Sequence, residues 1–231
     1  MYDEIRQIEE ITNNLEEAMQ HKDINDLIES LRLDEIIEPH SIPNLDLYMD
    51  QVITLFEEKL GHTKRSEEDK LLTKTMINNY AKDRLLMPAK KKKYTREHII
   101  LMILLYELKQ ILTISDIKLL FSTIVKEEQV DAQKLEEIYQ IYLQLKKEGI
   151  NDFKAQVEKV AVHLEEKLSK AQFILNEEIE KEGEIEQKEE GKKEAQIEDM
   201  LLAIMLTQKA NYYKRMAEKI IDQKIIEPKM R

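Results

Sequence analysis

Apolar residues recur at steps of three and four along most of this chain, which is the spacing of one helix face. Ile5, Ile8, Ile11, Leu15 and Met19 predict an amphipathic helix over Tyr2–His21, and a shorter one follows over Ile24–Ile37. "EPHSIP" (Glu38–Pro43) has a proline near each end and reads as a breaker. A helix is expected from about Leu45 to Leu60, with Leu47, Val52, Ile53, Leu55 and Phe56 as its apolar positions. Polar Gly61–Lys70 reads as a loop, and Leu71–Leu86 as a short helix that Pro88 prevents from continuing. Tyr94–Leu112 is a strong helix with the apolar block Ile99–Tyr106. Thr95 followed by His98 makes a poor capping box; Thr113 followed by Asp116 makes a better one for a helix over Ser115–Val125.

The pattern continues in Ala132–Glu148 and then Asp152–Lys181, where Phe153, Val157, Val160, Leu164, Leu168, Ala171 and Leu175 form a long stripe. Charged, low-complexity Glu180–Ala195 reads as a flexible connection, and a last helix, Ile197–Ile226, carries the apolar block Met200–Leu206. No repeat of constant period occurs. The expected organisation is an N-terminal helical segment over 1–42, a central domain over 43–126, a helical region over 127–182, a linker over 183–195 and a C-terminal helix over 196–231.

Composition sharpens the fold class. Only four glycines and four prolines occur among 231 residues, too few for a turn-rich β fold, so the chain is expected to be all-α or nearly so. With 42% hydrophobic residues it can form cores despite 36% charged ones. There is no cysteine, so disulfides, thiolate metal sites and cysteine nucleophiles are excluded. The acidic start "MYDEIRQIEE" lacks the apolar core of a signal segment, and Ile99–Tyr106 is far shorter than a membrane span. A cytoplasmic protein is expected, and the bias toward Lys, Ile and Glu fits an AT-rich bacterial genome. Gly61, Gly149, Gly183 and Gly191 form no phosphate loop, and His21, His40, His62, His98 and His163 are scattered with no metal-binding spacing. No enzyme activity, cofactor or metal is expected.

Charge is what singles out one stretch. Between Thr73 and His98 lie eight basic residues (Lys74, Lys82, Arg84, Lys90, Lys91, Lys92, Lys93 and Arg96) against Asp83 and Glu97, a local +6. The rest of the chain must then carry −17 to reach the net −11. A solvated loop that aids solubility is an ordinary use of four lysines, and a surface for an acidic protein partner is another. What favours nucleic acid is the order: short helix, proline, basic loop, tyrosine, apolar helix, capped short helix.

That order resembles the winged helix-turn-helix of MerR-type regulators. Their recognition helix carries a Leu-Arg-Tyr-Tyr run and ends in Gly-Leu-Leu-Pro, followed by a basic wing and a tyrosine at the next helix start. In "INNYAKDRLLMP", Ile77 takes the leucine place, Asn78 the arginine place, Asn79 and Tyr80 the tyrosine places, and Leu85 and Leu86 the Leu-Leu place. Tyr94 follows the wing, and "TISDIKLL" (Thr113–Leu120) stands where the final capped turn belongs. Arg84 and Asn78 depart from the glycine and arginine of that pattern, and the loop after Leu60 is longer. The combined string over Pro43–Phe121 is also similar to the bacterial domain-of-unknown-function family numbered 1836.

The MerR-type resemblance implies double-stranded DNA binding and transcription regulation. The helix Thr73–Leu86 would enter the major groove with Lys74, Thr75, Asn78, Asn79 and Lys82 outward, asparagine being suited to paired hydrogen bonds with adenine. Lys90, Lys91, Lys92 and Lys93 would lie along the sugar–phosphate backbone, joined by Arg84 and Arg96. Tyr80 would reach a phosphate or pack inside, and Tyr94 would anchor the base of the wing against Ile99. A homodimer is expected of such a reader, with Phe153–Leu175 or Met200–Leu206 as candidate seams, the first somewhat better suited to packing within one chain. The alternative is a helical protein-interaction adaptor whose basic patch meets an acidic partner. Any small-molecule effector is left open.

Overall fold

The computed structural model describes residues 24–126, 129–178 and 187–226, with the side chains of residues 169–195 and 226 outside that description. The helix expected over Tyr2–His21 and the first part of the expected linker, residues 183–186, lie outside the described residues.

Breakers and caps divide the chain much as its pattern predicts. Residues 24–30 form helix α1, ending well before the expected Ile37. The proline-bounded segment makes a single 3-10 turn, Pro39–Ser41. Strand β1 (Leu47–Tyr48) leads directly into α2 (Met49–Leu60), and α3 (Lys74–Lys82) follows the polar loop. Strand β2 (Lys93–Tyr94) precedes α4 (Arg96–Leu108) and α5 (Ile114–Phe121). A second two-residue ribbon, β3 (Val125–Lys126) with β4 (Gln129–Val130), leads to α6 (Ala132–Glu178), α7 (Gln187–Ile220) and a π-helical turn, Ile221–Ile226. The described residues are therefore mostly helical, with two short antiparallel ribbons.

Three expectations change. Leu47–Tyr48 is strand, not the first turn of a helix, because Leu47 pairs with Tyr94 and Tyr48 with Lys93 across an antiparallel ribbon. The break expected between Glu148 and Asp152 is absent; α6 runs straight through Gly149. A lone glycine costs a helix only about 1 kcal/mol, too little to stop one of this length. Finally, α7 already includes residues 187–195, where the sequence suggests a flexible connection. Lys, Glu, Gln and Ala in that stretch are strong helix formers that outweigh Gly191.

The chain divides into two compact units, Leu31–Ile150 with Tyr213–Arg231, and Met1–Ser30 with Asn151–Tyr212. In the first, α4 is the central element. Its residues Ile99 through Tyr106 are all buried, as expected of a helix apolar on every side. Val52 and Phe56 of α2, Ile77 and Tyr80 of α3, Ile117 and Phe121 of α5, and Leu135 and Tyr139 of α6 complete the same core. Burying each such side chain contributes roughly 1.5–3 kcal/mol. The Tyr139 hydroxyl donates to the Ile37 carbonyl at 2.5 Å, so this buried tyrosine fixes the incoming chain. The π-helical turn packs on α5 and buries Ile221 in that core.

In the second unit Val157, Val160, Ala161 and Leu164 of α6 are buried, as is Ile28 of α1. Lys154 pairs with Glu29 at 2.5 Å. The buried part of the predicted stripe is thus used within the chain, with Phe153 and Leu168 half-buried, while Met200 and Ile204 of the other predicted seam are exposed. No helix among the described residues is long and apolar enough to cross a membrane.

Candidate nucleic-acid interface

Helix α3 is short because both of its ends are defined by side-chain and backbone chemistry. Thr73 caps its start by accepting the Met76 N–H at 3.1 Å. At the other end Arg84 adopts φ 59°, the left-handed region. The Leu85 N–H then reaches the Tyr80 carbonyl at 2.9 Å and the Arg84 N–H reaches Ala81 at 3.1 Å. This pair of bonds is a Schellman ending, normally built on glycine. Arg84 therefore takes the left-handed conformation that such an ending usually gives to glycine, at a cost of roughly 1–2 kcal/mol. Leu85 and Tyr80 are both buried in the same core, as the apolar residues of such an ending usually are.

Between those ends the helix has two distinct faces. Ile77 and Tyr80 point into the core. Lys74, Asn78 and Lys82 recur at four-residue steps, with Thr75 and Asn79 beside them, and all five are exposed. Tyr80 is buried, and burial pushes its phenol pKa up, so packing is its role.

The four lysines form a tight turn. The Lys93 N–H donates to the Lys90 carbonyl at 2.9 Å, and the central residues Lys91 and Lys92 have φ of 51° and 62°. Two successive positive φ values are the pattern of a type I′ hairpin turn, where Asn-Gly is the usual choice. Lysines there are strained, yet Lys90, Lys91 and Lys92 are all exposed.

The base of the turn is fixed from below. Tyr94 is buried, with its ring 5.5 Å from that of His98 and nearly perpendicular to it. His98 Nδ1 accepts the Thr95 N–H at 3.1 Å, which leaves Nε2–H to donate to the Met87 carbonyl at 3.1 Å. One neutral imidazole thus joins the chain entering the turn to the chain leaving it, and completes a capping arm even though histidine is a poor residue for that position. Burial holds the His98 pKa below its ordinary value, against opposing contributions from the Met87 carbonyl and from Glu97 and Asp46.

Turn and helix meet at the start of α2. The Lys93 ammonium lies over the Tyr48 ring, 5.1 Å from its centroid. Two residues on, Asp50 holds Lys74 at 2.6 Å, an exposed pair of the kind that is readily exchanged. Arg96 is placed elsewhere. Its guanidinium grips Glu136 through Nε at 3.1 Å and Nη2 at 2.9 Å, and donates to the Ile42 carbonyl at 2.8 Å. That commitment ties α4 to α6 and removes Arg96 from the exposed basic set. Tyr48 and Asp50, which carry no basic charge, also lie on this surface. Two residues of strand are too few to show an alternating period, so nothing in the pattern marked Tyr48.

Residues 37–142 match the model of a family described as a domain of unknown function, DUF1836. The match takes in everything from β1 through the first turns of α6 and agrees with the resemblance carried by Pro43–Phe121. No curated protein and no solved structure matches the chain.

Proposed function

We propose that this chain binds double-stranded DNA and acts as a transcriptional regulator. In this reading α3 lies in the major groove and the lysine turn follows the neighbouring backbone as a MerR-like wing. The observation that carries it is the start of α2. Tyr48, at the end of β1, touches Lys93 at the foot of the turn, and Asp50, in the first turn of α2, touches Lys74 at the head of α3, so the two basic elements adjoin.

The chemistry is divided between them. Asn78 and Asn79 offer paired donor and acceptor atoms to adenine. Lys90, Lys91 and Lys92 displace counterions from phosphates and supply affinity without sequence preference. The negative charge on the rest of the chain repels a polyanion elsewhere and orients its approach.

A gel shift with labelled genomic fragments at physiological salt tests the reading. A shift that survives excess unlabelled nonspecific duplex supports it. Loss of the shift, together with recovery of an acidic protein in pull-downs, favours the adaptor instead. Asn78→Ala and Asn79→Ala should reorder the fragments by affinity; equal weakening on every fragment would remove them from base reading.

A further inference from the structure

We infer that Tyr48 is a phosphate-contacting residue of the same surface, its hydroxyl donating to a backbone oxygen of the duplex while its ring holds Lys93 in position. This rests on the duplex-binding reading.

The ribbon's register sets the direction of the side chain. Leu47 and Tyr94 are paired and both buried, so the next pair, Tyr48 and Lys93, must face the other way. Tyr48 is accordingly 53% exposed, whereas Leu47 and Tyr94 of the same ribbon are in the core. Its backbone is held firmly, because its N–H donates to Gln51 Oε1 at 2.9 Å at the head of α2. One cation, Lys93, lies on the ring and a second, Lys74, is held by Asp50 two residues along the chain. A phosphate drawn to the Lys93 ammonium comes close to the ring on which that ammonium lies. A phenol there can donate one neutral hydrogen bond to an anionic oxygen, and such charge-assisted bonds are the strong ones.

The two parts of the role separate in two variants. Tyr48→Phe keeps the ring under Lys93 and loses only the donor. Tyr48→Ala loses both. The probe is a fluorescein-labelled duplex of mixed sequence about two helical turns long, read by anisotropy over a range of salt concentrations, with circular dichroism as a check on folding. Loss of one hydrogen bond to a charged acceptor corresponds to roughly tenfold weaker binding. Tyr48→Phe should show that loss with an unchanged salt dependence, since a neutral donor displaces no counterion. Tyr48→Ala should bind more weakly still and show a shallower salt dependence, because Lys93 is no longer held. Wild-type affinity in Tyr48→Phe overturns the inference. A wild-type chain that binds no duplex overturns the underlying reading instead, and the two failures are distinct.

Discussion

Arg96 and the lysine turn are close neighbours in the chain and carry the same charge, yet their surroundings are opposite. The Arg96 guanidinium is half-buried and meets a carboxylate through two bonds and a carbonyl through a third. Lys91 and Lys92 stand in solvent on a backbone conformation that lysine disfavours. A cation whose acceptors lie inside the fold stabilises the fold. A cation held outward at an energetic cost is available to a partner outside the fold. That difference, more than the count of positive charges, separates the structural part of the basic window from the part we assign to DNA.

The largest effect expected from breaking this contrast is on stability. Arg96→Ala leaves Glu136 and the Ile42 carbonyl without their donor and should destabilise the chain by about 2 kcal/mol. Thermal unfolding measures this, and the salt dependence of duplex binding at a temperature where the variant is folded should stay as in the wild type. A variant as stable as the wild type would show that Arg96 is not the tie described here.

A smaller effect of opposite sign is expected at the turn. Lys91→Asn combined with Lys92→Gly supplies the residues a type I′ turn prefers and should raise stability by about 1 kcal/mol. The same change removes two charges and should weaken duplex binding. Stability and affinity moving apart is the signature of strain kept for an external partner; a variant no more stable than the wild type would mean the turn carries no strain.

The last effect is a pH dependence. Burial holds the His98 pKa below its ordinary value in the folded chain. As pH falls through the ordinary histidine value of about 6.5, the unfolded chain takes up a proton that the folded chain resists, so stability is lost. His98→Gln keeps an acceptor for the Thr95 N–H, and its melting temperature should fall less between neutral and mildly acidic pH. Parallel melting curves for the two proteins across that range would exclude His98 as the cause.

Much of the helical order was legible because it rests on local chemistry. The Thr113–Asp116 capping box is present in the structure, with the Asp116 N–H donating to Thr113 Oγ1 at 3.2 Å and Asp116 Oδ2 accepting from the Thr113 N–H at 3.3 Å. The apolar block Ile99–Tyr106 is the centre of a core, as its composition implied. What escaped depended on distant partners. Leu47–Tyr48 is strand only because Tyr94 and Lys93 lie alongside, and Arg96 is structural only because Glu136 faces it. The positive φ of Lys91 and Lys92 follows from the closure of the turn and contradicts the residues' own preference. Likewise no spacing rule indicated that Ile221, a hundred residues beyond α5, would pack against it.

The central claim is that the lysine turn contacts duplex phosphates. The logarithm of the duplex dissociation constant, followed against the logarithm of salt concentration, tests it directly in the wild type and in a variant with Lys90, Lys91, Lys92 and Lys93 all changed to alanine. Each lysine that displaces a counterion adds about 0.9 to the slope, so the variant, which loses four, should lose about 3.6 in slope and bind on the order of a hundredfold more weakly at physiological salt. Equal slopes and equal affinities in the two proteins would contradict the account.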